Sequence, residues 1–320
     1  MAIVAGVDEA GYGPLLGPLV VTGVAFRVPD AVAEASLWDV LRGSVTRRAS
    51  AKDLRLPILD SKRLYSTKAG IGALERTALV MLKTSGGRAA TFRQLLALVA
   101  PGTAGDLRSY PWYREFDVAL PSRCSKADIT TRANAVGRDM ASNGVRLLGV
   151  FCEPLPEGHY NRLVARVRNK AVVSLGTVLR VVEAIVSRHG DERVLMHVDR
   201  QGGRTRYRQP LMSAFPTHHL RIVEEGAARS AYELTDKDAC HRLDFVTDGE
   251  RRHMPIALAS IYSKYVRELF MRAFNDYWGR QVSGLKPTAG YYTDARRFLR
   301  DIDRTVDTLR IDRSLLIRSR

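Results

Sequence analysis

The chain is poor in cysteine, and its three cysteines share no task. Cys124, Cys152 and Cys240 stand far apart with no C-x-x-C pair. That excludes a disulfide framework or a thiolate zinc site and makes a reducing cytoplasm the expected setting. The seven histidines (His159, His189, His197, His218, His219, His241, His253) form no ligand spacing, and the adjacent His218-His219 reads as structural or exposed. No apolar stretch is long and clean enough to span a bilayer, and no basic segment leads into an apolar one at the N-terminus, so no membrane role is expected. There is no internal repeat, Walker A pattern, G-x-S-x-G or dinucleotide fingerprint, which removes the commonest nucleotide-binding and serine-hydrolase signals. Acidic residues are also in deficit. Lys and Arg number 50 against 34 Asp and Glu, a formal charge of +16, with arginine well ahead of lysine. An excess of that size points to a polyanionic partner, nucleic acid ahead of membrane.

What is present is a 320-residue chain, 45% hydrophobic, able to bury a substantial core. Residues 3–9 and 18–26 read as two strands of a hairpin joined by a Gly-Pro turn. A short helix and a basic loop (Arg42, Arg47, Arg48, Lys52, Arg55) are expected over 29–55. Ser66-Thr67 reads as a cap for a helix carrying Leu74, Ala78, Leu79 and Leu82. Residues 86–140 read as an inserted subregion with a helix near 92–99 and the aromatic patch Tyr110-Pro111-Trp112-Tyr113. A third strand is expected over 144–152, then one long helix from Leu163 to Val186 at a period of 3.6. Further strands are expected at 193–199, 220–224 and 242–247, a helix at about 256–276, and a helix with a basic tail from Asp294 on. Strand–helix–strand order implies an α/β fold with a mixed sheet flanked by helices. We expect a catalytic domain over 1–280 and a C-terminal helical, basic extension over 281–320.

Strand ends carry the chemistry. Asp8-Glu9 closes the first strand, Asp199 another, and Asp248 follows a third, with Asp191 and Asp244 as competitors for the last two places. Open α/β sheets place their sites at strand ends. Adjacent acids on an extended chain point to opposite faces, and the glycines after them let backbone approach a ligand closely. Carboxylates gathered there repel one another unless cations neutralise them. Oxygen ligands without a His/Cys cluster favour Mg2+ or Mn2+, and such ions serve phosphodiester hydrolysis. Ser260, Lys264 and Arg267 fall on one helix face at i, i+4 and i+7, suited to phosphates. Arg200, Arg204, Arg206 and Arg208 flank Gly202-Gly203 in a second phosphate-contacting candidate, against the plain alternative of a solvated charge run.

These residues also resemble a family. Asp8-Glu9-Ala10-Gly11-x-Gly13-Pro14-Leu15-x-Gly17-Pro18 is similar to the opening signature of type 2 ribonucleases H (ribonuclease HII). Asp60-Ser61-Lys62-x-Leu64, Val198-Asp199, and Asp248 followed by Ile256-Ala257-x-Ala259-Ser260-Ile261-x-Ser263-Lys264 resemble its later blocks. So do Gly290-Tyr291-x-Thr293 and Ile311-x-Arg313-Ser314, in the family's order. The resemblance implies a ribonuclease H-like fold and metal-dependent cleavage 5′ of a ribonucleotide in RNA–DNA hybrid or ribonucleotide-containing duplex DNA, leaving 3′-hydroxyl and 5′-phosphate. It gives metal and catalytic roles to Asp8, Glu9, Asp199 and Asp248. Ribose 2′-hydroxyl recognition falls to the Gly11–Gly13 backbone and Tyr291, and nucleic-acid contact or metal-site support to Tyr12, Ser61, Lys62, Ser260, Lys264 and Arg313. No required protein partner is implied. Three departures stand out: Tyr12 replaces the family arginine between the glycines, Thr288-Ala289 replaces His-Lys, and 86–140 is extra. A nucleic-acid-binding protein on the same fold and a nuclease of another substrate remain as alternatives.

Overall fold

The computed structural model describes the chain except residues 51, 66–69, 104, 237–238 and 320. The Ser66-Thr67 cap lies outside the described residues. In chain order the elements are β1 (Ala2–Ala10), β2 (Leu19–Val28), α1 (Leu37–Val40), the short parallel pair β3 (Val45–Thr46) and β4 (Leu56–Pro57), α2 (Ser61–Leu64), α3 (Gly72–Thr84), α4 (Phe92–Val99), α5 (Pro111–Arg114), α6 (Lys126–Ser142), β5 (Arg146–Leu155), α7 (Glu157–Val167), α8 (Lys170–His189), β6 (Arg193–Asp199), α9 (Arg208–Ala214), β7 (His219–Glu225), β8 (Arg229–Asp236), β9 (Ala239–Val246), α10 (Gly249–Arg252), α11 (Met254–Gln281), α12 (Tyr292–Thr308) and α13 (Arg313–Leu316).

Among the described residues the main sheet has seven strands in the order β5-β2-β1-β6-β9-β8-β7. β1, β6 and β9 run parallel at its centre. β2 and β5 on one side, and β8 and β7 on the other, are antiparallel. This is the expected α/β architecture, a mixed sheet flanked by helices. A central strand is covered on both faces, so β1 reads as an unbroken apolar run rather than an alternating one. Its pleat divides the core. Ala2 and Val4 join the layer containing α11, while Ile3, Ala5 and Val7 join the layer containing α8. Gly6 lies under the start of α11, where a Cβ would stand 2.3 Å from the backbone of Pro255 and Ile256. That contact brings α11 against the strand two residues before Asp8.

α11 is the scaffold of its layer. At 1.5 Å per residue its 28 residues span about 42 Å. The aromatic patch from 86–140 packs onto it: Trp112 is 2% exposed, 5.5 Å from the Phe274 ring, and Tyr113 lies 5.0 Å from Phe270. α12 adds Phe298 to the same cluster, 5.5 Å from Phe274. Two expectations need correction. The long helix is two helices, because Arg168 adopts a left-handed φ of 49° and Asn169 caps α8 through its side chain. β8 was not expected; it pairs with both β9 and β7. No helix among the described residues is long and apolar enough to cross a membrane.

Candidate active site

β1 delivers its two acids to opposite faces, as an extended strand requires. Asp8 turns toward α11. It is 5% exposed; its Oδ1 accepts the Glu9 backbone N–H at 2.7 Å, and the Ser263 hydroxyl donates to its carbonyl at 3.0 Å. Glu9 turns toward α8, where Gln201 Nε2 donates to Glu9 Oε2 (3.1 Å) and to Ser174 Oγ (3.2 Å). Asp199 ends β6, and its Oδ1 accepts the Gly249 N–H at 3.0 Å.

Asp8, Glu9, Asp199 and Glu250 line one cavity of about 280 Å³, together with Gly11, Tyr12 and Gly13. Glu250 was missed by the sequence reading, which placed Asp248 here. Asp248 is exposed and is not among the cavity-lining residues. It occupies the N-cap position of α10 in a left-handed conformation, φ 52°, without a side-chain capping bond. That sharp turn leaves Asp248 outside and brings Glu250 inward. Asp248 still acts on Asp199 through its charge. The other competitors are elsewhere: Asp244 is paired with Arg229 (3.0 Å) and Arg242 (3.3 Å), and Asp191 lines a separate cavity.

The acids oppose one another's ionisation. Burial, then the charges of Asp199, Glu9 and Glu250, push Asp8 well above the usual aspartate range; the Ser260 hydroxyl, bonded to Ser61 Oγ at 2.9 Å, offsets this only in part. Burial raises Glu9 to about 7 and Glu250 to about 7, with Asp60 adding to the latter. Asp199 is raised by burial as well. Lys62 lowers Glu9, Asp199 and Glu250 together, so it faces three carboxylates at once.

Basic side chains of α11 line the same cavity. Lys264 donates to Glu268 at 2.6 Å and lies 4.4 Å from the Tyr65 ring centre. Arg267, 1% exposed, gives Nη2 to the carbonyls of Leu16 (3.3 Å) and Ala289 (3.1 Å). Among the described residues its Nε and Nη1 have no hydrogen-bond partner. It sits beneath the glycine turn: Gly11 has φ 90°, and a Cβ there would stand 2.6 Å from Arg267 Nε. Gly13 faces open space, and Tyr12 and Tyr291 are 37% and 53% exposed. Arg313, expected at the site, instead pairs with Asp303 and Asp307, both at 2.8 Å. Arg318 makes the tail's contact: it donates to the carbonyls of Gly11 and Tyr12, and its N–H bonds the Leu15 carbonyl at 2.9 Å. Only a helix-face pattern hinted at Arg267; nothing in the sequence signals Arg318.

Among the described residues no three His, Cys, Asp or Glu side chains stand ready-grouped as metal ligands. The donor set nevertheless fits a hard divalent cation. Among the described residues Asp8 Oδ2 and Glu250 Oε2 are buried without hydrogen-bond partners, the donors are all carboxylate oxygens, and their mutual repulsion is what such an ion relieves.

No protein-family model and no curated protein matches the chain. Among solved structures it is similar to an Archaeoglobus fulgidus RNase HII described in complex with PCNA (15% identity, TM-score 0.44, covering 99% of this chain and 94% of that one). It is similar also to the ribonuclease H2 of Pyrococcus horikoshii OT3 (12%, 0.45, 98% and 92%) and to Bst-RNase HIII in complex with Mn2+ (13%, 0.42, 99% and 66%). Likenesses of this strength carry no argument about activity, and the functional case rests on the site.

Proposed function

We propose that the chain is a metal-dependent endoribonuclease hydrolysing the RNA strand of RNA–DNA hybrids or ribonucleotide-containing duplexes, 5′ of a ribonucleotide. The observation that carries this reading is the convergence of Asp8, Glu9, Asp199 and Glu250, from three separate parts of the chain, on one cavity also lined by Lys62, Lys264 and Arg267. Phosphodiester hydrolysis needs both: acids to hold cations, and cations to hold the phosphate.

The four acids would hold Mg2+ or Mn2+, which on binding supplies charge stabilisation to the reacting phosphate. Lys62 and Lys264 hold and orient the scissile phosphate. The bare Gly11–Gly13 backbone and Tyr291 receive the ribose, whose 2′-hydroxyl distinguishes RNA from DNA. Ser61 and Ser260, bonded to each other, fix the α2–α11 contact beside Asp8. Cleavage breaks the P–O3′ bond, leaving 3′-hydroxyl and 5′-phosphate. Tyr12, in place of a phosphate-clamping arginine, favours a second reading on the same site: a nuclease whose preferred substrate is not a single embedded ribonucleotide. A cytoplasmic setting, and a division at 280/281, one residue before α11 ends at Gln281, belong to the same proposal.

The test is cleavage of end-labelled RNA–DNA hybrid, single-ribonucleotide duplex, plain duplex DNA and single-stranded RNA with Mg2+, Mn2+ or EDTA. Metal-dependent cutting of either ribonucleotide-containing duplex supports the proposal. Binding without any cutting would leave a nucleic-acid-binding protein, and cutting of single strands or plain DNA alone would leave a nuclease of other specificity.

A further inference from the structure

The carboxylate cavity is the first of three that adjoin in a row. A second, of about 570 Å³, shares Glu9 and Tyr12 with it and lies between the start of α8 and the loop after β6. A third, of about 940 Å³, shares Arg204 and Arg206 with the second and continues to Arg208. We propose that this groove carries the phosphodiester backbone of the cleaved nucleic-acid strand away from the catalytic cavity, with Arg204 and Arg206 on its phosphates. This rests on the nuclease reading above and adds to it a strand path.

The loop is built for an anion close to its backbone. Gly202 has φ 59°, and neither Gly202 nor Gly203 would meet anything within 4 Å if given a Cβ, so bare main chain faces open space. The arginines divide by task. Arg200 is engaged structurally, bonding the carbonyls of Ala227 and Gly226 and the Ser230 hydroxyl. The Arg204 guanidinium makes no hydrogen bond or ion pair among the described residues, although the residue lines both cavities; only its backbone carbonyl is engaged, accepting from the Tyr207 hydroxyl at 3.2 Å. Arg206 has only a 4.0 Å approach to Glu225, with its side chain 88% exposed. At the start of α8, Lys170 lies 5.4 Å from the centre of the Tyr12 ring. Tyr12 thus stands at the junction of the first two cavities with one face toward a cation, placed to stack on a sugar or base as the strand passes. Beyond Glu9, which the second cavity shares with the catalytic one, the groove holds acids, Glu183 and Glu225, only in its third, distal part. Arginines along the loop wall, a further cation beside Tyr12, and a mouth at the catalytic acids favour a nucleic-acid strand over a protein segment.

The test is fluorescence anisotropy of a short end-labelled RNA–DNA hybrid with the full chain in EDTA across a salt series. Arg204→Ala with Arg206→Ala is compared with a charge-matched pair on α11, Arg272→Ala with Arg280→Ala, which lines none of the three cavities. The groove pair should bind roughly tenfold to a hundredfold more weakly. Its slope of log affinity against log salt should become shallower by about 2, one for each phosphate contact. Melting temperature should hold, because neither side chain makes a structural bond. Unchanged affinity, or an equal loss in the α11 pair, overturns the groove. Loss in the groove pair alone, in a protein that cuts nothing with Mg2+ or Mn2+, keeps the groove and rejects the nuclease reading.

Discussion

Replacing Glu9 with glutamine should stabilise the metal-free protein and abolish its response to metal. Burial holds the Glu9 carboxyl at about 7, against an ordinary 4.5. Between those values the native state binds a proton that the unfolded chain has lost. Stability therefore falls as pH rises from 4.5 through 7 and levels off above it. The difference is about 2.5 pH units, or about 3 kcal/mol at 1.36 kcal/mol per unit. At pH 8 in EDTA wild type carries that whole penalty and Glu9→Gln carries none, since a glutamine oxygen can still accept from Gln201. With an unfolding entropy of about 2.1 cal/mol/K per residue over 320 residues, the gain is about 5 °C in melting temperature. Adding Mg2+ or Mn2+ at a hundred times its dissociation constant should return about 2.7 kcal/mol to wild type and little to the variant. Differential scanning calorimetry at pH 5 and pH 8, with EDTA and with metal, reads all four corners. A variant less stable than wild type at pH 8 in EDTA, or one that keeps the full metal response, refutes the reasoning.

Four further outcomes follow from the geometry. Glu250→Gln should lower metal-dependent cleavage by about a hundredfold or more, the scale of losing one electrostatic group from an active site, whereas Asp248→Asn should stay close to wild type in the same gel assay; the reverse order would return Asp248 to the site. Glu157 is fully buried, accepts from Gly17 N–H (3.0 Å) and Tyr113 hydroxyl (3.1 Å), and is raised by burial to about 7. Glu157→Gln should therefore flatten the decline in urea-unfolding stability between pH 4.5 and 7, and do so equally with and without metal. Trp112→Ala should cost about 3–5 kcal/mol of stability, as emptying a buried aromatic site does, with hybrid affinity unchanged; weaker binding at full stability would make Trp112 a nucleic-acid contact. Tyr12→Arg should raise cleavage at a single embedded ribonucleotide about tenfold, one charge-assisted contact, with a smaller change on long hybrid; no gain in a folded variant means that the missing arginine does not set specificity.

The core was legible where one physical signal acted alone. β1 and β6 are central strands, covered on both sides, and their apolar runs mark them directly. β8 was not visible because Arg229, Glu233 and Asp236 break its apolar residues into a short alternation, and it gains its partners only from β9 and β7. The break between α7 and α8 was hidden for another reason. The 3.6-residue period runs from Leu163 to Val186 across a left-handed arginine, a conformation that arginine's chemistry does not announce. The aromatic patch of 86–140 was legible as a cluster, and the structure shows it as packing on α11.

The site was legible by residue type and not by direction. Asp8, Glu9 and Asp199 lie at the C-terminal ends of central strands, and that place followed from the pattern. Which of Asp248 and Glu250 enters depends on one backbone torsion at Asp248, two residues away from the answer. The same limit applies to the basic groups. Lys264 and Arg267 share a helix face, and that periodicity finds them. Arg318 reaches the Gly11 carbonyl from 307 residues further along the chain, and no local pattern encodes such a contact. The consequence is physical. The glycine turn that would receive a ribose is held between Arg267 beneath it and Arg318 at its carbonyls, so its position depends on α11 and on the C-terminal tail together. A change in either can move the turn without touching an acid. Loss of activity on substituting Arg318 would therefore report on the turn's position, whereas loss on substituting Glu250 would report on the carboxylate cluster itself.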